Sequence, residues 1–404
     1  MRIAIVTQYY TPEPVRIPDA VARSLVARGH DVRVITGYPN YPEGKLYQGY
    51  RQKWRHIEHI DGVTVRRTPL IISHSYNAFA RFSNYLTFAF SSLCAGPFVR
   101  NADVIYVYAT QMTAAIAPQV WRLTRGTPFV LHIMDLWPES VIGSSMVPGK
   151  FRKKIIGTVL GFWLSALYQQ SSSVIATAPT MSRMLNERGV PKDKLRTVLN
   201  WAEERIEESP ARESPSEGRG LRVVYAGNIG DMQDLDTVLM AALLVSDLSG
   251  FQIIFVGAGV AEQRLKKTAG EYGLRNVEFR GRVDPLEMSD IYAESDFQLV
   301  TLRDLPVFRG TIPSKLQGSL SNGVPVITNV PGDVTSIVRE SGVGLTASPE
   351  NPDELAAAFR EAYSMSDTSR RQMGKRAREL YVRTMSAKVG IDIIESVLKS
   401  AANQ

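Results

Sequence analysis

Residues 222–247 read RVVYAGNIGDMQDLDTVLMAALLVSD. An apolar, β-branched run stops at Gly227, a short polar loop with a second glycine follows, and apolar residues then recur at helical spacing from Leu235. This is the order of a buried parallel strand, a tight turn and a helix that covers the sheet. The stretch decides the fold because it follows a break. Residues 203–219, EERIEESPARESPSEGR, are rich in charge, Pro and Ser and have little to bury, so they read as a linker. An alternation that restarts beyond a linker implies a second α/β domain, which a chain of 404 residues can accommodate.

The same alternation runs outward on both sides. Ahead of the linker, RIAIVTQYY, DVRVITG, VTVRRTPLI, DVIYVYA, FVLHIMD, SVIATA and LRTVLN are expected strands. Helical stretches such as DAVARSLVARG and TMSRMLNERG separate them. Behind it, FQIIFVGAG, NVEFRGRV, DFQLVTL and VPVITNV are expected strands. DPLEMSDIYAES and NPDELAAAFREAYSM open as capped helices, with Asp284 or Asn351, then Pro, then a Glu three places on. The expected fold is α/β, with two Rossmann-like parallel-sheet domains over residues 1–202 and 220–380 that face a cleft. In such sheets ligands sit beyond the carboxyl ends of the strands.

The net charge is +7, but residues 1–200 alone carry 24 Lys and Arg against 11 Asp and Glu, a balance of +13. A basic front half favours an anionic partner, whether a phosphorylated substrate or an acidic membrane surface. The basic residues are dispersed without a recognisable nucleic-acid module, so no nucleic acid is expected. One cysteine, Cys94, excludes an internal disulfide and fits a reducing compartment. MRIAIVTQYYTPEP reads as an opening strand rather than a signal peptide. Two uncharged or basic apolar stretches, within 81–100 and 151–170, are too polar or too short to span a membrane. They suit either helices packed on the sheet or helices lying in a membrane interface.

The loops supply candidate site residues. Gly227 and Gly230 let the backbone approach a phosphate at a helix N-terminus, or simply form a tight turn. Gly257-Ala258-Gly259 lacks the third glycine of a dinucleotide fingerprint, where Glu262 stands, and reads as a turn. Asp234 and Asp236 match a metal–diphosphate pattern but open a helix, where acids suit the dipole, so no metal is expected. In VFRGTIPSKLQG, residues 307–318, Lys315 falls in the first turn of a helix. A cation is poorly matched there unless an anion sits beside it, and Arg309 adds a fork that can grip two phosphate oxygens. Asp135 ends a strand and can face the cleft, with His132 on the opposite face of the strand and Glu139 in the turn beyond.

Taken in order, QYYTPEP, RGHDVRVITGYPNYP, HIMDLWPES, VLNWAEE, YAGNIGDMQDL, FRGRV and PSKLQGSLSNGVPVI resemble a GT-B retaining glycosyltransferase of family 4 along nearly the whole chain. The nearest likeness is to bacterial amino-sugar (N-acetylfucosamine-type) transferases of surface-polysaccharide assembly. The resemblance implies a UDP-sugar donor as co-substrate, no cofactor or metal, and a polyprenyl-diphosphate-saccharide acceptor. It implies a cytoplasmic enzyme, peripheral on an anionic inner membrane face, and a C-terminal helix, 381–404, that packs on the first domain. It assigns catalysis to Asp135, Arg309 and Lys315. Nucleotide contact falls to Gly227, Asn228, Gly230, Gln233, Arg282, Val283, Ser314, Lys315 and Leu316. Donor-sugar or acceptor contact falls to Arg16, Tyr38, Asn40, His132 and Glu139. Two Glu usual in the family are replaced by Gly310 and Gly318, Asn228 and Gln233 stand where many members have Arg and Lys, and Met134 stands at a frequent His. A non-catalytic sugar-nucleotide-binding relative and a sugar-nucleotide epimerase are the alternative readings.

Overall fold

The computed structural model describes residues 1–73, 78–138, 150–203 and 220–404. Glu139 and most of the expected linker, residues 204–219, lie outside the described residues. The chain forms two compact units, residues 1–199 with 390–404 and residues 200–389.

The front unit runs β1 (Arg2–Val6), α1 (Arg16–Ala27), β2 (Asp31–Gly37), β3 (His56–Ile60), β4 (Val63–Thr68), α2 (Ala78–Leu93), β5 (Val104–Ala109) and α3 (Ile116–Arg125). It continues through β6 (Phe129–Ile133), α4 (Lys150–Gln170), β7 (Ser173–Ala176), α5 (Pro179–Glu187) and β8 (Leu195–Thr197). The strands form one sheet in the order β3-β4-β2-β1-β5-β6-β7-β8. All pairs are parallel except β3 with β4. The central strands are apolar on both faces because helices cover both: every residue of β5 and β6 is buried. β3 is absent from the sequence reading, which starts this region at VTVRR. Its signal was Asp61-Gly62, where φ of +48° and +80° makes a hairpin turn between two alternating runs.

The rear unit runs β9 (Arg222–Ala226), α6 (Leu235–Leu244), β10 (Gln252–Val256), α7 (Glu262–Glu271), β11 (Val277–Gly281), α8 (Met288–Glu294), β12 (Phe297–Val300) and α9 (Ser314–Ser321). It continues through β13 (Val326–Thr328), α10 (Asp333–Ser341), β14 (Gly344–Thr346), α11 (Pro352–Ser364) and α12 (Asp367–Thr384). Its sheet is wholly parallel, β11-β10-β9-β12-β13-β14. β9 shows why its sequence is continuously apolar: Val223 and Tyr225 enter the larger core with Leu239 and Phe255, while Val224 and Ala226 enter a second cluster with Ile254 and Ile291. The capping residues act as their types dictate. Asp284 accepts from the Leu286 amide at 2.8 Å, and Asn351 from the Glu354 amide at 3.1 Å.

The last helix, α13 (Ala387–Ala402), contributes residues 390–404 to the front unit. Glu395 is the hub of that attachment. Its carboxylate meets Arg28 at 2.5 Å, His30 at 2.9 Å and Lys399 at 2.6 Å, and Arg28 also reaches Asp392 at 2.6 Å. Hydrogen bonds from Lys399, His30 and Arg28 pull the Glu395 carboxyl from 4.5 down to about 2. A depressed acid stabilises the fold fully above its unfolded value, and that contribution disappears as pH falls from about 4.5 towards 2. Glu395→Gln is therefore expected to cost roughly 1 kcal/mol or more at pH 7, since Glu395 and His30 are mostly buried while Lys399 is exposed. The mutant and wild-type melting curves should converge on acidification, and a constant difference down to pH 2 would contradict this role.

Candidate functional site

The carboxyl ends of β9 and β10 are joined backbone to backbone. The Gly227 amide donates to the Val256 carbonyl at 2.8 Å, and the Ile229 amide to the Ala258 carbonyl at 3.0 Å. A Cβ on Gly257 would run into the Gly227 carbonyl oxygen, and one on Gly259 into that of Ile229. Gly257 also sits at φ +138°, which L-residues avoid. The Gly-Ala-Gly turn is thus required by the neighbouring loop, without any dinucleotide.

Gly227 itself has φ +145°, and a Cβ there would meet Lys315 Cε at 2.7 Å. Lys315 reaches that position from the first turn of α9, whose N-cap, Pro313, offers no capping side chain. Its ammonium lies 4.8 Å from the centroid of the Tyr225 ring. Among the described residues no carboxylate pairs with it. Burial pushes its pKa from 10.5 down to about 8. A half-buried cation at a helix N-terminus, supported only by an aromatic face, is a poor arrangement unless an anion joins it.

Gly230 is overlaid by two neutral amides: its Cβ would meet Asn228 Nδ2 at 2.6 Å and Gln233 Oε1 at 2.7 Å. The turn below them is fixed from beneath. Tyr225 donates its hydroxyl to the Asn228 carbonyl at 2.6 Å, and Thr301 donates to the Gln233 carbonyl at 2.6 Å. Asp234, at φ +54°, accepts from Thr237 at 2.7 Å and Asn329 at 2.6 Å, while Asp236 is held by Arg264. Both acids of the Asp-x-Asp pattern are committed to the protein.

The other rear-unit candidates have mixed placements. Arg309 is not free: it makes a two-pronged pair with Asp304 at 3.0–3.2 Å. An incoming anion has to compete with that carboxylate. Arg282 and Ser314 are exposed, and Val283 packs on the smaller core cluster. Leu316 is fully buried, and its amide is taken by the Pro313 carbonyl at 2.9 Å. Gly310 is buried. Gly318 faces Tyr292, whose hydroxyl stands where a Cβ on residue 318 would be, and burial raises that phenol to about 12. Tyr292 fills the space that a side chain on α9 would occupy. It was missed because nothing links residues 292 and 318 in the sequence.

In the front unit Asp135 lies two residues beyond β6 and reaches solvent, with no cation paired to it among the described residues. Desolvation by its packed surroundings raises the carboxyl above its usual value. His132 is wholly buried. Its Nδ1 meets the Tyr106 hydroxyl at 2.5 Å, its Nε2 has no partner among the described residues, and burial pushes it down to about 3. Contact between His132 and a sugar requires that packing to open. Tyr38 and Asn40 are also buried: the Tyr38 hydroxyl accepts from the Lys53 amide at 2.8 Å, and Asn40 Nδ2 donates to the Tyr38 carbonyl at 2.7 Å. Arg16 is the exposed first residue of α1.

Two buried charges that the sequence reading passed over hold these loops. Glu13 accepts from the amides of Tyr10, Asn40 and Tyr41 at 2.8–3.1 Å. Arg67, with no exposed side-chain surface, pairs with Glu58 and donates to the carbonyls of Thr11 at 2.6 Å and Gly37 at 3.1 Å.

Residues 16–201 match the family described as "Glycosyl transferase 4-like domain", and residues 207–380 match "Glycosyl transferases group 1". WcaI of Escherichia coli (strain K12), which carries the name of a colanic acid biosynthesis glycosyl transferase, is 27% identical over 90% of this chain and 92% of its own. WbjE of Pseudomonas aeruginosa, named as a glycosyltransferase, is 24% identical over 65% of this chain and 66% of its own. Among solved structures, Anabaena Alr3699/HepE in complex with UDP and glucose is similar at TM-score 0.66 and 14% identity, over 99% of this chain and 100% of that one. Sucrose-phosphate synthase from Thermosynechococcus elongatus is similar at TM-score 0.71 and 15% identity, over 99% and 98%. At such identities the structural likeness establishes the fold.

The Lys315 environment makes a prediction about stability alone. Below pH 8 the folded protein carries the desolvated charge. Between about 8 and 10.5 it sheds that proton while the unfolded chain keeps it, so wild-type stability rises there. Lys315→Met is expected to stabilise the fold by about 1–3 kcal/mol at pH 7, with the gain vanishing by about pH 10.5. Denaturant midpoints across pH check this, and a mutant destabilised at pH 7 would contradict it.

Proposed function

We propose that this chain, a glycosyltransferase of the GT-B fold, moves a sugar from a UDP-sugar to a lipid-diphosphate-linked saccharide in bacterial surface-polysaccharide assembly. The observation that carries the reading is the half-buried Lys315, paired with no acid among the described residues and laid across Gly227 at the start of α9. A diphosphate is the anion that both this cation and the helix N-terminus lack. The name of WcaI supports the polysaccharide setting, that of WbjE the transferase activity, and the UDP-bound HepE neighbour the donor class.

In the proposed reaction an acceptor hydroxyl attacks the anomeric carbon from the face that the diphosphate leaves. The glycosidic C–O bond forms as the sugar–phosphate bond breaks, UDP departs, and a leaving-group oxygen takes the acceptor proton. The configuration is retained, and no protein nucleophile is needed. Lys315 and Arg309, released from Asp304, offset the charge that grows on the leaving diphosphate. No metal is assigned in this scheme, since Asp234 and Asp236 are engaged elsewhere. Asp135, the solvent-reaching carboxylate of the front unit, orients the acceptor or the donor sugar. The resemblance to amino-sugar transferases makes an N-acetylated amino sugar the donor group we propose. The enzyme works in the cytoplasm at the inner face of the plasma membrane, where a lipid-borne acceptor resides.

A screen of UDP-, GDP- and TDP-sugars with a lipid-diphosphate saccharide tests this reading. UDP release is expected only with a UDP-sugar and acceptor together, and Lys315→Ala is expected to lower turnover at least about tenfold. A new sugar nucleotide formed from the donor alone would favour the epimerase reading, and undiminished turnover in Lys315→Ala would remove that lysine from the mechanism.

A further inference from the structure

Helix α9 carries a second feature besides Lys315. Gly318 lies one turn further along, so the two positions share a face of the helix, about 5 Å apart. Glycine inside a helix is destabilising relative to alanine, so the position calls for a reason. The reason is Tyr292 of α8. Its hydroxyl stands where a Cβ on residue 318 would be, with the ring carbon Cζ 3.3 Å from that point. α8 is itself anchored close to the Gly227 loop, because Ile291 packs with Val224 and Ala226 at the carboxyl end of β9.

The chemistry above does not use this hydroxyl. A tyrosine packed into protein usually finds a hydrogen-bond partner. Tyr292 has none among the described residues, and burial alone raises its pKa to about 12, so it stays a protonated donor at neutral pH. Two other polar atoms without a partner among the described residues, His132 Nε2 and Gln317 Oε1, are fully enclosed and beyond a ligand's reach. The Tyr292 hydroxyl is not among such enclosed atoms, and the residue keeps part of its surface exposed. It can therefore both donate to and accept from a ligand.

We propose that the Tyr292 hydroxyl holds the ribose of the donor nucleotide through its vicinal 2′- and 3′-hydroxyls, and so selects ribonucleotide donors over 2′-deoxyribonucleotide ones. The direction follows from the fold. As a crossover helix between the parallel strands β12 and β13, α9 starts at their carboxyl ends and runs back along the sheet. Gly318 therefore lies deeper than Lys315. With the diphosphate at Lys315, the transferred sugar has to stay outward, where an acceptor can reach its anomeric carbon. The nucleoside then lies inward, and the ribose is the first group beyond the phosphates. The inference rests on the donor reading above and adds the side chain that recognises the ribose.

Calorimetric binding of UDP, 2′-deoxy-UDP and 3′-deoxy-UDP to the full chain tests it. The wild type is expected to bind each deoxy analogue about fivefold more weakly than UDP, the loss of one hydrogen bond. Tyr292→Phe keeps the ring and its packing. It is expected to bind UDP about fivefold more weakly and to hold all three nucleotides within about twofold of one another. Gly318→Ala supplies an independent variant, because its Cβ displaces the hydroxyl, and the same loss of preference is expected. Melting curves verify that both variants fold. A preference for UDP that survives in Tyr292→Phe would overturn the proposal and leave the donor reading intact, as would a wild type that binds the three alike. An effect of Tyr292→Phe on a UDP-sugar but not on UDP would overturn it by placing the hydroxyl on the transferred sugar. Wild-type protein that binds no UDP at all would overturn both.

Discussion

The rear unit is organised around an unneutralised lysine held against a residue with no side chain. Lys315 can lie across Gly227 only because that position lacks a Cβ, and Gly227 can take φ +145° only because it is glycine. The constraint spreads outward. The Gly227 carbonyl excludes a Cβ from Gly257, the Ile229 carbonyl excludes one from Gly259, and the turn to Gln233 is pinned by Tyr225 and Thr301. The result is a rigid shelf of backbone at the carboxyl end of a parallel sheet, with one cation above it and no acid paired to that cation among the described residues. Such a shelf costs the apo protein stability and yields pre-organisation for an anion.

The front unit handles its charges in the opposite way. Glu13 and Arg67 are buried and satisfied by backbone groups, so each ties two loops together and offers nothing to a ligand. What is left open near the strand ends is Asp135, while seven of the unit's basic residues lie on three helices that contain no acid. The two units therefore differ in kind. Among the described residues, one holds a cation with no paired acid, and the other holds a carboxylate with no paired cation and a basic, apolar exterior.

Much of this was legible in the sequence because it follows from local rules. Strand–glycine–helix order gave two doubly wound domains, the helix starts at Asp284 and Asn351 were readable from their capping residues, and the dipole argument singled out Lys315. The rest is tertiary. The Gly257–Gly227 contact, the Tyr292 hydroxyl at Gly318 and the Asp304 partner of Arg309 join residues whose adjacency depends on the folded sheet. No spacing rule reveals them. His132 lay beyond local reasoning for a related cause: whether a strand histidine meets solvent or a buried Tyr106 depends on which layer covers that face. The β3 strand was a different kind of miss, since Asp61-Gly62 between alternating runs marks a hairpin on its face.

The most direct measurement is a crystal structure of the protein soaked with UDP. The account predicts the diphosphate within about 3 Å of Lys315 Nζ, against the backbone of the Gly227–Ile229 loop, with Arg309 turned from Asp304 towards it. A nucleotide bound away from the 309–315 turn, with the Lys315 ammonium still resting on Tyr225 alone, would contradict it.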